Sequence, residues 1–313
     1  MEPGAILNTI GNTPTIRLNR LAPELDASLY IKLEGMNPGG SHKARVALKM
    51  VLEAEKEGQL TRGSGQTIIE PTGGNTGIGL AMVSAALGYK AVLVIPDNFS
   101  KEKQRVLRAM GAEVILSDSS TSLNSHVALM WELLIKHPDY IYLDQFGNIA
   151  NVLAHKEGTA KEIIDYIGHI GQAGEEGALD YFVCGIGTAG SITGIGEALK
   201  EQYPDIKIVG VQPEGCDILN GKFVSHSIQG IAAGIVPSIL NKDIVDEMVS
   251  VSLESTMHTL NDLARLEGIF LGISSGAYVY AALKVAKRAG SGARVLTISP
   301  DFGESYLEYF ENK

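Results

Sequence analysis

The stretch TIIEPTGGNTGIGLAMVSAALGYKAVLVIP, residues 67–96, decides the fold. It opens on a short run rich in β-branched residues, TIIE, and closes on another, AVLVIP. Runs this short and this branched fit strands. Between them a Gly-Gly-Asn-Thr turn leads into an apolar stretch of helical length. Two neighbouring strands joined through a helix run parallel, and the crossover is right-handed. Parallel strands with continuous apolar runs need cover on both faces. The stretch is a β-α-β unit.

The same alternation continues on either side. Further strand runs are SLYIKLE (28–34), EVILS (113–117), YIYL (140–143), YFVCGIG (181–187), KIVGVQP (207–213) and RVLTISP (294–300). Amphipathic stretches such as ARVALKMVLEAEKEG (44–58) and SKEKQRVLRAMGA (100–112) carry apolar residues at helical spacing. An α/β protein follows, with mainly parallel, twisted sheets flanked by helices. GQAGEEGAL at 171–179 reads as a surface loop, and QFGN at 145–148 as a switch between two sheets. Trp131, inside a helical pattern, reads as core.

Composition narrows the functional classes. At 313 residues the chain is long enough for one large or two medium domains. A net charge of −10 disfavours a nucleic-acid or anionic-membrane surface. It does not disfavour a small anion, which needs only a local cluster of N–H donors. Cys184 and Cys216 are the only cysteines, and neither is in a CxxC pair, so a disulfide framework is excluded. The opening MEPGAILNTIGNTPTIRL lacks a basic and an apolar segment in the order of a signal peptide. No apolar run of about 18 residues exists to span a bilayer as a helix. A cytoplasmic location is expected. The seven histidines show no metal-ligand spacing.

In open α/β sheets, ligands collect at the carboxyl ends of strands, where glycine loops start the next helix. Four such loops stand out. NPGGSHKARVALKM (37–50) places Lys43 at a helix start, as a solvated residue, a phosphate ligand or a covalent catalyst. His42 beside it reads as solvated or packed. EPTGGNTGIGLA (70–81) presents Thr72, Gly73, Gly74, Asn75 and Thr76 at the head of a helix, a seat for a carboxylate or phosphate, or simply a capped turn.

GIGTAGSITG (185–194) satisfies G-x-G-x-x-G through Gly185, Gly187 and Gly190, which raises a dinucleotide fold. Against that reading, the motif comes late in the chain, and Thr188, Ser191 and Thr193 suit a terminal phosphate monoester better. GISSGAYVYAALKVA (272–286) satisfies G-x-S-x-G at Ser274, but no histidine follows residue 258, as a hydrolase elbow requires. Together the four loops are the parts needed for pyridoxal phosphate. On that reading Lys43 would supply the Schiff base and residues 187–191 the phosphate cradle.

NPGGSHKAR (37–45), TGGNTGI (72–78), QFGNIAN (145–151), GIGTAGS (185–191) and GISSGA (272–277) stand in an order and spacing that resemble one family. The chain is similar, from residue 6 to about 307, to the cysteine synthase and cystathionine β-synthase family, pyridoxal phosphate enzymes of the tryptophan-synthase-β-like fold. The resemblance implies a smaller, mobile domain of residues 1–12 and 35–145, and a larger one of 13–34 and 146–313 carrying the phosphate loop. It implies the cofactor in the cleft between them and a homodimer.

It also implies β-replacement on O-acetylserine, serine or O-phosphoserine. Lys43 is released from the cofactor and removes the α-proton, the β-substituent leaves to give an aminoacrylate, and sulfide or a thiol adds. Lys43, Asn75, Gly187, Thr188, Ala189, Gly190, Ser191 and Ser274 would bind the cofactor, with the resemblance placing Asn75 at the ring hydroxyl and Ser274 at the ring nitrogen. Thr72, Gly73, Gly74, Asn75, Thr76 and Gln145 would bind the substrate carboxylate. No metal is implied.

Departures from the pattern keep alternatives open. Ala44 replaces an aspartate, Gly73 a serine, Ala189 a glycine and Ser191 a threonine. Gly158 stands for a threonine after His155, and IAAG (231–234) for I-G-A-G, with Ala232 in place of glycine. A cystathionine β-synthase-like use of homocysteine, a cysteine-consuming release of sulfide, and a paralogue that binds without turnover are the competing readings. No regulatory domain pair and no haem extension are expected.

Overall fold

The computed structural model describes residues 5–72, 74–122, 124–172 and 178–310. Among these the strands are β1 (Thr15–Leu18), β2 (Ser28–Leu33), β3 (Thr67–Pro71), β4 (Lys90–Pro96), β5 (Glu113–Ser117), β6 (Ile141–Tyr142), β7 (Tyr181–Gly185), β8 (Lys207–Pro213), β9 (Glu247–Val251) and β10 (Arg294–Ser299). The α-helices are α1 (Lys43–Lys56), α2 (Asn75–Leu87), α3 (Lys101–Ala109), α4 (Ser125–Lys136), α5 (Ile149–Ala154), α6 (Ala160–Gln172), α7 (Gly190–Gln202), α8 (Leu253–Asp262) and α9 (Ile273–Ala289). Contacts divide the chain into a first unit, Met1–Ile10 with Asn37–Asn151, and a second, Gly11–Met36 with Val152–Lys313.

The first unit holds a four-stranded sheet in the order β5-β4-β3-β6, parallel throughout. β3 and β4 are the strands of the β-α-β stretch, paired with Ile68 beside Ala91 and Ile69 beside Val92. Ala91 to Ile95 are all buried, as a central strand covered on both faces requires. Gly88, at φ +79°, ends α2 in the left-handed conformation that glycine adopts without steric cost. α3 begins at Ser100, whose Oγ accepts a hydrogen bond from the Lys103 N–H at 3.3 Å.

Trp131 corrects the sequence reading. It is 53% exposed on α4 and meets Tyr142 edge-on at 5.6 Å. α4 turns Met130, not Trp131, toward the sheet residues Ile69, Val92 and Val94.

The second unit holds a six-stranded sheet in the order β1-β2-β10-β7-β8-β9. All its pairings are parallel except β1 with β2. Every residue of β10, RVLTIS, is buried. β1 and β9 do not figure among the strand runs read from sequence. They are the two edges of this sheet, and TIRL and EMVSV mix polar with apolar positions because one side of each strand has no neighbour. β6, the last strand of the four-stranded sheet, precedes QFGN, and β7 belongs to the six-stranded one. QFGN therefore marks the passage from one sheet to the other.

Candidate active site

In the first unit, Gly39 and Gly40 turn the chain with φ of +80° and +75°, conformations costly for any residue with a Cβ. α1 starts directly after, at Lys43, which is half-buried, and the Lys43 N–H donates to Ser41 Oγ at 3.3 Å. Ser41 and His42 are buried, so His42 is a packed residue and not a solvated one. α2 lies tight against this helix start. A Cβ added at Gly79 would stand 2.8 Å from the Lys43 carbonyl oxygen and 3.0 Å from Ala47 Cβ. Gly79 thus sets how α1 presents Lys43, with Ala44 sealed beneath.

The loop after β3 is anchored at both ends. Thr72 N–H donates to the Val94 carbonyl at 3.0 Å, and Gly74 N–H to Thr72 Oγ1 at 3.3 Å. Gly73 lies outside the described residues. α2 begins at Asn75 with no acidic side chain in its first turn, so no side-chain charge opposes an anion at the positive end of its dipole. Buried Thr76 donates from Oγ1 to Gln145 Oε1 at 2.6 Å.

Gln145 is fixed at two further points. Its N–H donates to Glu70 Oε1 at 3.1 Å, and its carbonyl accepts from Asn151 Nδ2 at 2.8 Å. With Oε1 engaged by Thr76, the NH2 is the donor end of this amide. The structure thus brings Thr72, Gly74, Asn75, Thr76 and Gln145 together in one unit with Lys43.

Glu70, which sequence reading passed over, lies behind this loop. Complete burial pushes its carboxyl up to about 8; the Gln145 N–H opposes the shift and the Asp144 charge adds to it. Its Oε2 has no partner among the described residues. An acidic residue inside a strand run, directly before a glycine loop, was the available signal.

In the second unit β7 stops at Gly185, and the chain turns through Gly187 into α7. Glycine at 187 is required by close approach: a Cβ there would stand 2.5 Å from the Gly230 carbonyl oxygen. Gly230 in turn lies against Ser274, with 3.4 Å left for a Cβ. The Ala232 N–H donates to the Ile186 carbonyl at 2.8 Å, which ties the 229–234 loop to the turn.

Gly187 and Ser274 therefore lie on either side of Gly230, a residue that sequence reading passed over, and Thr188, Ala189, Gly190 and Ser191 follow Gly187 directly. Ala189 caps α7 in the left-handed conformation, φ +68°. Neither α7 nor α9 has an acidic residue in its first turn. Ser274 and the wholly buried Tyr278 are hydrogen-bonded, and burial holds the Tyr278 phenol well above its usual range.

Two hydroxyls, a run of unopposed helix N–H groups and glycine walls suit the dianionic end of a phosphorylated cofactor. Each unit by itself has donors that fit part of pyridoxal phosphate: the first a half-buried lysine at a helix start and a polar amide loop, the second a hydroxyl-bearing glycine turn and a buried serine. Among the described residues no group of three or more His, Cys, Asp or Glu is placed to hold a metal ion.

Fold and loops together define an α/β enzyme built around a phosphorylated cofactor. Residues 6–301 match the family described as "Pyridoxal-phosphate dependent enzyme". A probable cysteine synthase of Bacillus subtilis (strain 168) is 46% identical over 299 residues, 95% of this chain and 94% of that protein. The crystal structure of O-ureido-L-serine synthase superposes with a TM-score of 0.91 at 40% identity, covering 100% of this chain and 96% of that one. A hydrogen sulfide-producing enzyme from Fusobacterium nucleatum has a TM-score of 0.90 at 37% identity, covering 98% and 99%. The chain belongs to the pyridoxal-phosphate dependent enzyme family.

Proposed function

We propose that the protein replaces the β-substituent of a serine-derived amino acid with a sulfur nucleophile, as a cysteine synthase does. Pyridoxal phosphate supplies, when bound, an electron sink for negative charge at the substrate Cα. Lys43 holds the cofactor through its ε-amine and, once released, carries the Cα proton. Asn75 holds the ring hydroxyl, and Gly187, Thr188, Ala189, Gly190 and Ser191 hold the phosphate.

The substrate carboxylate takes hydrogen bonds from Thr72, Gly73, Gly74, Asn75, Thr76 and the Gln145 NH2. The Gln145 amide is held for this by Thr76 at 2.6 Å. Ser274, a neutral hydroxyl at the ring nitrogen, does not favour a cationic ring as an aspartate would. Charge at Cα is then better relieved by expelling the β-substituent than by waiting for a proton. The Cβ–O bond breaks with its electron pair going to the departing oxygen, which leaves as acetate, as phosphate or, on taking a proton, as water. Sulfide or a thiol, giving up its proton, forms the new bond at Cβ, and Lys43 returns a proton to Cα.

The observation that carries this reading is the cradle before α7, where two hydroxyls, unopposed N–H groups and a glycine wall meet beside Ser274. We place the protein in the cytoplasm as a homodimer. A second reading, release of sulfide from cysteine, draws support from the sulfide-producing relative. The test supplies O-acetylserine, serine, O-phosphoserine and cysteine separately and follows the cofactor's visible absorption, then adds sulfide or homocysteine and identifies the product. O-acetylserine with sulfide should give cysteine, and Lys43→Ala should lose both the lysine-bound absorption and turnover. Consumption of cysteine while sulfide and homocysteine both go unused would select the second reading.

A further inference from the structure

Behind the phosphate cradle of the second unit lies a line of three buried polar side chains. Ser191 Oγ and His155 Nε2 are 3.1 Å apart, and His155 Nδ1 and Thr159 Oγ1 are 3.0 Å apart. His155 and Thr159 are fully buried and Ser191 nearly so.

The fold delivers the imidazole to this place by specific means. Residues His155–Thr159 form a π-helical turn between α5 and α6, which swings His155 toward α7. α7 accepts the turn at Gly194, where a Cβ would stand 2.3 Å from the Val152 carbonyl oxygen and 3.1 Å from His155 Cβ. Lys156, the next residue, reaches along α7 to Glu197 at 3.2 Å and Glu201 at 2.7 Å. A buried histidine held at this depth by a π-turn, a glycine contact and two ion pairs is aimed at Ser191.

We infer that His155 is a positioning residue for the cofactor phosphate, acting through Ser191: its Nε2–H donates to Ser191 Oγ, so that the Ser191 hydroxyl donates outward to a phosphate oxygen. The inference rests on the cradle reading above, and the reasoning is one of donor count. A phosphate dianion only accepts, so a hydroxyl facing it must give its proton in that direction. The side of Ser191 toward the imidazole must then accept, and Nε2 must carry hydrogen. In the neutral ring Nδ1 is bare and takes the proton of the Thr159 hydroxyl. Thr159, His155, Ser191 and phosphate form a chain in which each donates to the next, an arrangement that polarises every bond in one direction. With the opposite tautomer, Ser191 would donate inward and turn lone pairs on the anion.

The test uses the cofactor-loaded protein with 15N-labelled histidine. The His155 resonances should show Nε2 protonated; a bare Nε2 overturns the inference without any substitution. Alongside, apo-protein is titrated with pyridoxal phosphate. His155→Leu should weaken cofactor binding by up to about tenfold, the upper end of what one neutral hydrogen bond contributes. His155→Gln, whose amide can still donate, should recover most of it. Because the imidazole acts through the hydroxyl, the double variant with Ser191→Ala should bind no more weakly than Ser191→Ala alone. Losses that multiply, or His155→Leu at unmodified affinity, would overturn the relay. A loaded protein that fails these tests sinks the relay alone. Unmodified protein that binds no pyridoxal phosphate sinks the function proposed above with it.

Discussion

Ala189 and Ala232 hold φ of +68° and +51°, in the left-handed region where a Cβ crowds the backbone. At both positions the family resemblance calls for glycine, and both are buried. Three magnitudes decide what glycine would do there. Relief of the left-handed conformation gains roughly 1–2 kcal/mol. Loss of a buried methyl costs about 0.8 kcal/mol, and the freer unfolded chain costs roughly 0.4–1 kcal/mol. The sum is close to zero. Ala189→Gly and Ala232→Gly should leave unfolding free energy within about 0.5 kcal/mol of the unmodified protein. Ala198→Gly, in the interior of α7, has no strain to relieve and should lose about 1 kcal/mol or more. Denaturant midpoints for the three variants check the contrast. Equal losses in all three would mean that Ala189 and Ala232 carry no backbone strain.

At the scale of elements, the contact between α1 and α2 turns on one glycine. Gly79→Ala would press a methyl onto the Lys43 carbonyl and Ala47, backbone and side chain of a helix that cannot yield locally. A loss of about 1–3 kcal/mol is expected, with a fall in turnover because the start of α1 shifts. Gly77→Ala, half a turn away in α2, would meet Thr72 Cγ2 at 3.4 Å and Leu93 Cδ1 at 3.5 Å, ordinary contacts. Alanine's helix propensity should make that change neutral or stabilising by up to about 1 kcal/mol. Thermal unfolding of both variants separates close approach from propensity.

The same contrast explains what could be read from sequence. The strands flanked on both sides, such as β4 and β10, announce themselves by unbroken apolar runs, and the glycine loops by turn chemistry ahead of apolar stretches. β1 and β9, at the sheet edges, have no such run. Gly230 is illegible because its neighbours, Gly187 and Ser274, are more than 40 residues away on either side and met only through the fold. His155 and Glu70 share that fate, since a buried polar residue is defined by partners that sequence does not show. Trp131 went the other way, its helical position saying nothing about which face of α4 would be covered.

For the whole molecule, the first unit carries two carboxylates whose shifts bend stability in opposite directions with pH. Glu55 is held below its usual range by Arg62, whose Nη2 stands 2.5 Å from Oε2, with Tyr89 Oη donating to Oε1 at 2.7 Å. A depressed carboxyl contributes stability above the unfolded value, and that contribution fades as pH falls through the folded one. Glu70 is the opposite case, raised by burial to about 8 from an ordinary 4.5. Its neutral form is the one the fold accommodates. Its contribution is complete below pH of about 4.5, shrinks as pH rises toward about 8, and changes no further above that. Across that window the folded chain keeps a proton that the unfolded chain has given up.

Stability should therefore decline from pH 5 to pH 8 by as much as several kcal/mol. Glu70→Gln keeps an oxygen for the Gln145 N–H and has nothing to ionise, so the decline should largely vanish. Denaturant titrations of both proteins at pH 5, 6.5 and 8 measure it. The expected result is two curves that diverge as pH rises, the variant becoming the more stable at pH 8. Parallel curves would mean that Glu70 is already ionised in the folded protein, with its Oε2 reached by water.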